Sequence, residues 1–308
     1  MLNKDVNNDG LLVFSLAFNG YQWLYRKNLE SHQKYCDDRG YCYQRVTRSG
    51  VTSLGKESVW LKIALIQEAL NVGHQWVVCL DADTQVRDCT PNIESLREEG
   101  KSLYLANGYS GRFNSGVIIV RNCPDVRQFF NTLLLSACSV IPEIDQVGWG
   151  ENGHLIHLAH GKPFIKTIDS RWNNNSDVEL DDYIRHYSQG PLHDLYKPSL
   201  LDYSLYIVHH KLTTAVRSTW WLFDRQEDFY KKLWALLDQS LKTYPVFSTM
   251  RRLRDSAITK SDVLVRNDEL FSDESTSKKK RAIKEHLTAR NQLKRFYNSI
   301  RARMGVSL

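Results

Sequence analysis

The sequence predicts an α/β fold in which a mostly parallel sheet is flanked by helices. Two observations favour it. Short apolar runs rich in β-branched and aromatic residues are typical of buried strands, and the segments between them carry apolar residues at helical spacing. Over the first 80 residues the order is strand, helix, strand, helix, strand, which favours parallel pairing. With 308 residues, 42% of them hydrophobic, the chain can bury a sizeable core.

Each predicted element follows from a local pattern. The first strand ends at Asn19-Gly20, a pair typical of a tight turn, and Gly40 closes the helix that follows it. The predicted strands cover 11–18, 41–46, 76–80, 113–122 and 206–210, and the predicted helices cover 21–39, 58–70, 126–135 and 149–159. The late strand over 206–210 ends in two histidines.

Charge divides the chain into two regions. Residues 251–308 hold 15 Lys and Arg against 7 Asp and Glu, a balance of +8 that leaves −2 for residues 1–250. We therefore predict a globular domain over 1–249 and a basic, helical extension over 250–308. In the extension, Leu293, Phe296, Tyr297 and Ile300 recur at helical spacing among basic residues, which suits peripheral contact with an anionic membrane; a solvated or protein-packed helix is the alternative.

Composition also limits the partners. The sequence has no apolar run long enough for a membrane span and opens without a basic segment before an apolar one, so we expect a cytoplasmic protein, peripheral at the inner membrane face if the extension binds lipid. The body of the chain carries no recognised nucleic-acid motif, so no nucleic-acid partner is expected.

The most informative motif is Asp81-Ala82-Asp83-Thr84, directly after the apolar run Trp76–Leu80. Strands of α/β sheets deliver chemistry at their carboxyl ends. Two carboxylates one residue apart at such an end can hold one hard divalent cation and leave coordination sites for the oxygens of a diphosphate. Surface loops also carry such pairs as solvated caps, so the motif by itself leaves both interpretations open.

Several further segments, in chain order, resemble those of the GT-A-fold glycosyltransferases. The likeness is to the galactosyl-, mannosyl- and xylosyltransferase family, with a looser one to glycogenin and lipopolysaccharide galactosyltransferases, and it covers about 11–220. The segments are Gly40-Tyr41, Trp60-Leu61-Lys62-Ile63, Leu80-Asp81-Ala82-Asp83, Phe113-Asn114-Ser115-Gly116, Val120-Arg121-Asn122, Gly150-Glu151-Asn152, Arg171-Trp172-Asn173 and Ile207-Val208-His209.

The resemblance implies a metal site and a donor site. Asp81, Asp83 and His209 would hold Mn²⁺ or Mg²⁺, with His210 as the fallback for the histidine. The nucleotide sugar is expected to be a UDP-hexose. The residues expected to bind it are Ala17, Phe18, Lys62, Leu80, Ala82, Asn114, Ser115 and Gly116.

The resemblance also places the reacting centre. Lys62, or a late-chain cation such as Lys211 or Arg217, would meet the charge of the departing diphosphate, and Glu151 with Asn152 would lie near the reacting carbon. Gly153 stands where relatives carry an aspartate, which leaves Glu151 or Asp145 as the nearest acid. The segment Arg171-Trp172-Asn173 would lie on the acceptor side, with Trp172 equally compatible with the core.

The implied function is metal-dependent, retaining transfer of a hexose from a nucleotide-diphosphate sugar to a glycan or lipid-linked glycan. Galactose or glucose is expected as the hexose in preference to mannose. Two alternatives stay open. A non-catalytic nucleotide-sugar or glycan-binding protein would keep the pocket without turnover. A sugar-1-phosphate nucleotidyltransferase shares the strand order, but that class opens with a Gly-rich loop that Asn19-Gly20-Tyr21 does not provide.

Overall fold

The computed structural model describes residues 10–47, 57–147, 150–188, 190–223 and 229–248, all within one compact unit that spans 1–250. The basic extension over 250–308, its predicted helix and its membrane contact lie outside the described residues. None of the described helices is long and apolar enough to cross a membrane.

The described residues form eight strands and seven α-helices. The strands are β1 (Leu11–Leu16), β2 (Cys42–Val46), β3 (Trp76–Leu80), β4 (Thr84–Val86), β5 (Leu103–Ala106), β6 (Val117–Arg121), β7 (Ile165–Ile168) and β8 (Ile184–His186). The helices are α1 (Tyr21–Leu24), α2 (Arg26–Arg39), α3 (Glu57–Val72), α4 (Pro124–Leu135), α5 (Asn152–Ala159), α6 (Leu200–Phe223) and α7 (Phe229–Thr243).

Six strands form the main sheet, in the order β2-β1-β3-β6-β5-β7. β1 pairs in parallel with β2 and β3, and β5 pairs in parallel with β7, whereas β6 runs antiparallel to both of its neighbours. The predicted α/β fold with a mostly parallel sheet is confirmed, and this sheet is consistent with the GT-A fold that the resemblance implies. β4 and β8 form a separate antiparallel pair.

The sheet has an apolar core on each face because its central strands alternate their side chains between two helical layers. Leu12 and Phe14 of β1 pack in one core together with α3, α4 and α7, and Val13 packs in the other. All five residues of β3 are buried, as the unbroken apolar run predicts. Asp81 therefore leaves the sheet from a strand that is fixed on both faces.

The strand predicted over 206–210 is wrong, because those residues lie inside the 24-residue helix α6. Tyr206, Ile207 and Val208 have high strand propensity, but tertiary contacts override it. One face of α6 packs on the start of the fold: the Tyr206 ring stacks on Tyr21 with centroids 6.1 Å apart, and Arg26 Nε donates to Asp202 at 2.7 Å. The predicted helix over 21–39 is also divided in two, at Tyr25.

A buried histidine connects α2 to the segment that follows the acidic motif. His32 is fully buried, and its Nε2 donates to the carbonyl of Thr84 at 2.7 Å, so Nδ1 is left to accept from the Ser15 hydroxyl at 2.9 Å. On the same helix, Asn28 donates to the carbonyl of Ala82 at 3.3 Å. α2 therefore holds the backbone on both sides of Asp83.

We expect His32 to make stability depend on pH. Burial lowers the pKa of His32 from 6.5 to about 4, so the folded state keeps it neutral while the unfolded chain takes up a proton. The contribution of neutral His32 to the free energy of unfolding is complete above pH 6.5 and is lost as the pH falls towards 4. The loss over that pH range is about 3 kcal/mol. Urea unfolding at pH 7, 5.5 and 4.5 should show a smaller decline for His32→Gln than for the natural chain. Equal declines would contradict the assignment.

Candidate functional site

Polar side chains gather where β3 ends and β6 begins. Because the two strands are antiparallel, Leu80 pairs with Val117, and the amide of Asp81 donates to the carbonyl of Gly116 at 2.8 Å. The acidic motif and the loop 114–116 therefore lie side by side. Asp81 and Asp83 keep 33% and 25% of their side chains exposed, which leaves them accessible to a ligand.

The histidine that joins the acidic pair is His186, at the end of β8. Thr84, directly after the motif, pairs with His186 across the β4–β8 ladder. This register brings His186 Nε2 to 3.2 Å from Asp83 Oδ1, and ligand atoms of Asp81, Asp83 and His186 all lie within 4.8 Å of one another. Within the described part of the chain, these three residues form the one group of this kind.

This donor set fits a divalent metal. His186 is buried, and its Nδ1 lies 2.9 Å from Oδ1 of Asn173, an acceptor that fixes the proton on Nδ1 and leaves the lone pair of Nε2 facing Asp83. Two carboxylates and one neutral imidazole combine hard oxygen ligands with a nitrogen, a set suited to Mn²⁺ and compatible with Mg²⁺.

Gly116 provides the space that the His186 ring occupies. A Cβ on Gly116 would lie 2.1 Å from Cε1 of His186, far inside contact distance. The backbone of Gly116 is not in the left-handed region, so the need for glycine here is one of space alone.

Gly116→Ala is therefore expected to displace the His186 ring and to weaken Mn²⁺ binding about tenfold or more, in the range seen when the groups that orient a ligand are lost. Calorimetric titration of Mn²⁺ into the folded variant measures this. Gly10→Ala is the matched control, because a Cβ there would meet its nearest atom at 3.5 Å. Unchanged Mn²⁺ affinity in Gly116→Ala would contradict the arrangement.

Behind the acidic pair, Lys62 of α3 joins two carboxylates. Its buried Nζ lies 3.1 Å from Oδ1 of Asp81 and 2.6 Å from Oε1 of Glu151, and it donates to the carbonyl of Ser115 at 3.1 Å. The Ser115 hydroxyl also donates to Oε1 of Glu151, at 2.7 Å. Lys62 is thus an internal counter-ion that fixes Asp81, Ser115 and Glu151 relative to one another.

The electrostatics follow from burial and these contacts. Burial raises the pKa of Asp81 to about 6 in spite of the opposing charge of Lys62. Burial also acts against ionisation of Asp83, but without a metal His186 can take a proton on Nε2, and the charge and hydrogen bond of that protonated ring outweigh burial and lower the pKa of Asp83. For Lys62, burial is outweighed by Asp81 and Glu151, which raise its pKa and keep it charged.

A set of amide side chains shapes the loop 114–116. Asn152 accepts from the amide of Ser115 at 3.0 Å and donates to the carbonyl of Phe113 at 3.2 Å. Asn114 accepts from the amide of Gly116 at 2.9 Å, and Asn173 donates to both oxygens of Asn114 at 3.0 Å. The loop that the resemblance places at the donor sugar is therefore tied to α5 on one side and, through Asn173, to His186 on the other.

The remaining residues expected at the donor site lie at the ends of β1 and β3. Ala17 packs with Ala82 in a small buried cluster, so the end of β1 lies beside the acidic motif. The side chains of Phe18 and Leu80 are buried in the two cores, so neither side chain is placed to contact a ligand.

His209, expected as the third metal ligand, is not brought to the acidic pair. It lies on α6, and its Nε2 is 3.3 Å from Nε2 of Gln22, while the group of potential ligands contains His186 instead. The fallback, His210, is also on α6, against the ring of Tyr206. The prediction failed because it depended on a late strand at 206–210 that is helical.

The structure distinguishes the two acids that the sequence left open. Asp145 accepts from His157 and His160, each at 2.8 Å, whereas Glu151 is the acid bound to Lys62 and Ser115. A Cβ on Gly153 would lie 2.9 Å from the carbonyl oxygen of Asp145. An aspartate at that position, as in the family that the sequence resembles, would therefore not fit this backbone.

The three residues of the segment 171–173, predicted for the acceptor side, have different surroundings. Asn173 belongs to the site through Asn114 and His186, but Trp172 is buried in the core and Arg171 lies over the ring of Tyr183, 3.9 Å from its centroid. Lys211 is exposed on α6, and the side chain of Arg217 lies outside the described part of the chain.

His186 is the residue that the sequence analysis missed. Its strand, β8, has three residues, too few for an alternating pattern to be recognised. The one local signal is a histidine between Ile184 and Tyr187, downstream of the polar run Asn173–Asn175. That signal acquires meaning only through the pairing of β8 with β4.

No protein-family model matches the chain, and no curated protein matches its sequence. Solved structures are similar to it at low identity. A glycosyltransferase involved in the glycosylation of the major capsid of PBCV-1 is 15% identical, with 64% of this chain and 99% of that one covered and a TM-score of 0.48. The glycosyltransferase GlyE of Streptococcus pneumoniae TIGR4 is 14% identical, with 71% and 65% covered and a TM-score of 0.40. Mouse xyloside xylosyltransferase 1 is 13% identical, with 57% and 97% covered and a TM-score of 0.39.

Proposed function

We propose that this chain is a metal-dependent glycosyltransferase that moves a hexose from a nucleotide-diphosphate sugar to a glycan or lipid-linked glycan. The observation that carries the proposal is the group Asp81, Asp83 and His186, whose ligand atoms lie within 4.8 Å at the carboxyl end of a buried central strand. A divalent ion held there would neutralise the charge that develops on a departing diphosphate.

The chain's own residues have distinct parts in this proposal. Asp81, Asp83 and His186 hold the ion, which we propose to be Mn²⁺ or Mg²⁺, and Asn173 orients the imidazole. Lys62 is bound to Asp81 and Glu151, so we assign it to fixing these acids rather than to direct contact with the diphosphate.

The donor sugar is assigned to the loop 114–116. Asn114 and Ser115 carry an amide and a hydroxyl beside Asp81, Gly116 leaves room for the His186 ring, and Asn152 fixes the loop from α5. Glu151 lies directly behind Ser115, where its carboxylate would stabilise positive charge on the sugar ring. The nucleotide would extend towards Ala17 and Ala82, where the end of β1 meets the acidic motif.

We further propose transfer with retention of configuration, with the departing phosphate taking the proton of the acceptor hydroxyl. The resemblance supports this step, and it needs no strong base from the protein. For the donor we propose a UDP-hexose, either UDP-galactose or UDP-glucose, in preference to GDP-mannose. The alternative of a nucleotide-sugar binding protein predicts the same binding without turnover.

A screen of nucleotide sugars tests the proposal. Thermal stabilisation and donor hydrolysis are measured with UDP-galactose, UDP-glucose and GDP-mannose, each with Mn²⁺ and with a chelator. With Mn²⁺, but not with the chelator, we expect a UDP-hexose to stabilise the protein against heat and to be hydrolysed slowly. Neither effect is expected in Asp83→Ala. Stabilisation without hydrolysis or transfer would favour the alternative of a nucleotide-sugar binding protein. Tightest binding by GDP-mannose would reverse the proposed order of donors. Activity in the presence of the chelator would contradict the metal assignment.

We also propose that the basic extension over 250–308 brings the enzyme to anionic membranes, where lipid-linked acceptors would lie. Its +8 balance should give reversible, salt-sensitive attachment, about 1 kcal/mol or less for each basic residue near the surface. In co-sedimentation, the full chain should pellet with anionic but not with neutral vesicles at low salt. Equal pelleting with both, or with neither, would contradict the assignment.

A further inference from the structure

A cavity of about 480 Å³ lies at the edge of the sheet opposite the acidic motif. It is lined by Gly73, Gln75, Trp76, Arg97, Arg121, Asn122, Cys123, Pro124 and Arg127. Trp76 opens β3, and Asp81 follows the last residue of the same strand. Five residues of strand separate the two by about 17 Å, so this cavity is distinct from the proposed donor site.

The charge of the cavity is one-sided. Arg97, Arg121 and Arg127 line it, and no lining residue carries a carboxylate. None of the three arginines forms an ion pair with a carboxylate of the described residues. The acids nearest in sequence are Glu98, which follows Arg97 and pairs with Lys166, and Asp125 in the first turn of α4; neither lines the cavity. Three guanidinium groups thus face one space without an anion.

The neighbouring backbone favours the same kind of ligand. α4, a 12-residue helix, begins at the cavity with Pro124, and the side chain of Cys123 does not cap it. The amino end of a helix adds positive potential and unpaired amide groups to an anion site. Asn122 accepts from Arg127 at 2.7 Å and donates to the carbonyls of Leu70 and His74, which fixes Arg127 at the wall.

We propose that this cavity binds a phosphate-bearing small molecule, at a site separate from the donor site and from the proposed transfer. Three arginines match the charge and the three oxygens of a phosphate monoester better than the single charge of a carboxylate. A volume of about 480 Å³ lies within the usual range of small-molecule sites, so it admits an organic group attached to the phosphate. The exposed Gln75 and Gly73 provide polar groups for that part of the ligand.

Calorimetric titration of the full chain tests the site, with glucose 6-phosphate, inorganic phosphate and sulfate as probes. A chelator is present throughout, because without a metal the carboxylates of Asp81 and Asp83 repel anions and the donor site stays silent. We expect glucose 6-phosphate to bind more tightly than inorganic phosphate, and both to bind more tightly than sulfate. Arg97→Gln and Arg121→Gln should each weaken binding about tenfold or more, as loss of a charge-assisted hydrogen bond does.

Lys242→Gln is the matched control, because Lys242 is exposed on α7 and outside the cavity. It removes one positive charge and should leave the affinity for glucose 6-phosphate within about twofold, as surface electrostatics at ordinary salt are weak. Equal affinity of the natural chain and the Arg97→Gln/Arg121→Gln double variant would overturn the proposal. So would the absence of any probe binding tighter than about 1 mM. Neither outcome depends on glycosyl transfer, so the proposed function stands or fails separately.

Discussion

His186→Ala is expected to abolish tight Mn²⁺ binding and to reduce glycosyl transfer by orders of magnitude, whereas His209→Ala should leave both within about twofold. The reason is positional: Nε2 of His186 lies 3.2 Å from Asp83, and His209 is turned to Gln22 on α6. Loss of one of three protein ligands removes far more affinity than the 10- to 100-fold typical of lost supporting contacts.

The two variants are compared by Mn²⁺ titration and by donor hydrolysis on the same preparations. Asp83→Ala serves as a second loss-of-ligand variant and should match His186→Ala. Asn173→Ala should fall between, about 10- to 100-fold weaker in Mn²⁺ affinity, because it leaves the imidazole in place without its orienting partner. If His209→Ala lost the metal while His186→Ala kept it, the assignment would have to be reversed.

Lys62→Met is expected to lower the free energy of unfolding by about 3 to 5 kcal/mol, the range for breaking a buried ion pair and leaving a partner uncompensated. Methionine keeps most of the volume of the lysine stem, so the loss reports the ammonium group. Without it, the buried Glu151 and the partly exposed Asp81 have no cation between them.

The sign of the pH dependence follows from Asp81. Its pKa in the folded chain is about 6, raised by burial from 3.8, so the folded state holds a proton that the unfolded chain releases as the pH rises through this interval. The positive charge of Lys62 lowers the pKa of Asp81, so without Lys62 this pKa rises further. The pH interval over which the folded state holds the extra proton then extends to higher pH. The loss of stability in Lys62→Met should therefore be larger at pH 8 than at pH 5.

Denaturant unfolding at pH 5 and pH 8 measures this difference. The double variant Lys62→Met/Glu151→Gln is the control, because it removes the cation together with one of its two carboxylates. It should recover part of the stability at pH 8. An equal loss at both pH values, or no recovery in the double variant, would show that Lys62 acts through packing rather than charge.

Local pattern was enough to predict the part of the fold that carries the acidic motif. β1, β2, β3 and α3 lie close to their predicted positions, because each is a run whose apolar period identifies it without knowledge of its neighbours. The position of Asp81 at the end of a buried strand follows from the same run. The loop 114–116 was recognised by the resemblance, and its contact with Asp81 depends on the antiparallel pairing of β6 with β3.

The rest depends on contacts between distant parts of the chain. β8 is a strand because Thr84 and Val86 pair with it, about 100 residues earlier in the sequence, and no local feature of three residues reveals that partner. The prediction for 206–210, within α6, was wrong for the opposite reason. Its tyrosine, isoleucine and valine residues gave a strong local signal for a strand, but the segment is helical. Asn173 was placed on the acceptor side, but it orients His186, a role that is visible only once the ring is located.

The pairing of Lys62 with Asp81 and Glu151 determines the formal charge that a donor meets. Three carboxylates, Asp81, Asp83 and Glu151, share one ammonium, so the cluster carries a formal charge of two negative units, which one divalent cation cancels. A nucleotide sugar would then approach a neutral site instead of a cationic one. Its binding would depend on direct coordination and hydrogen bonds rather than on long-range attraction, and its rate of association should change little with ionic strength.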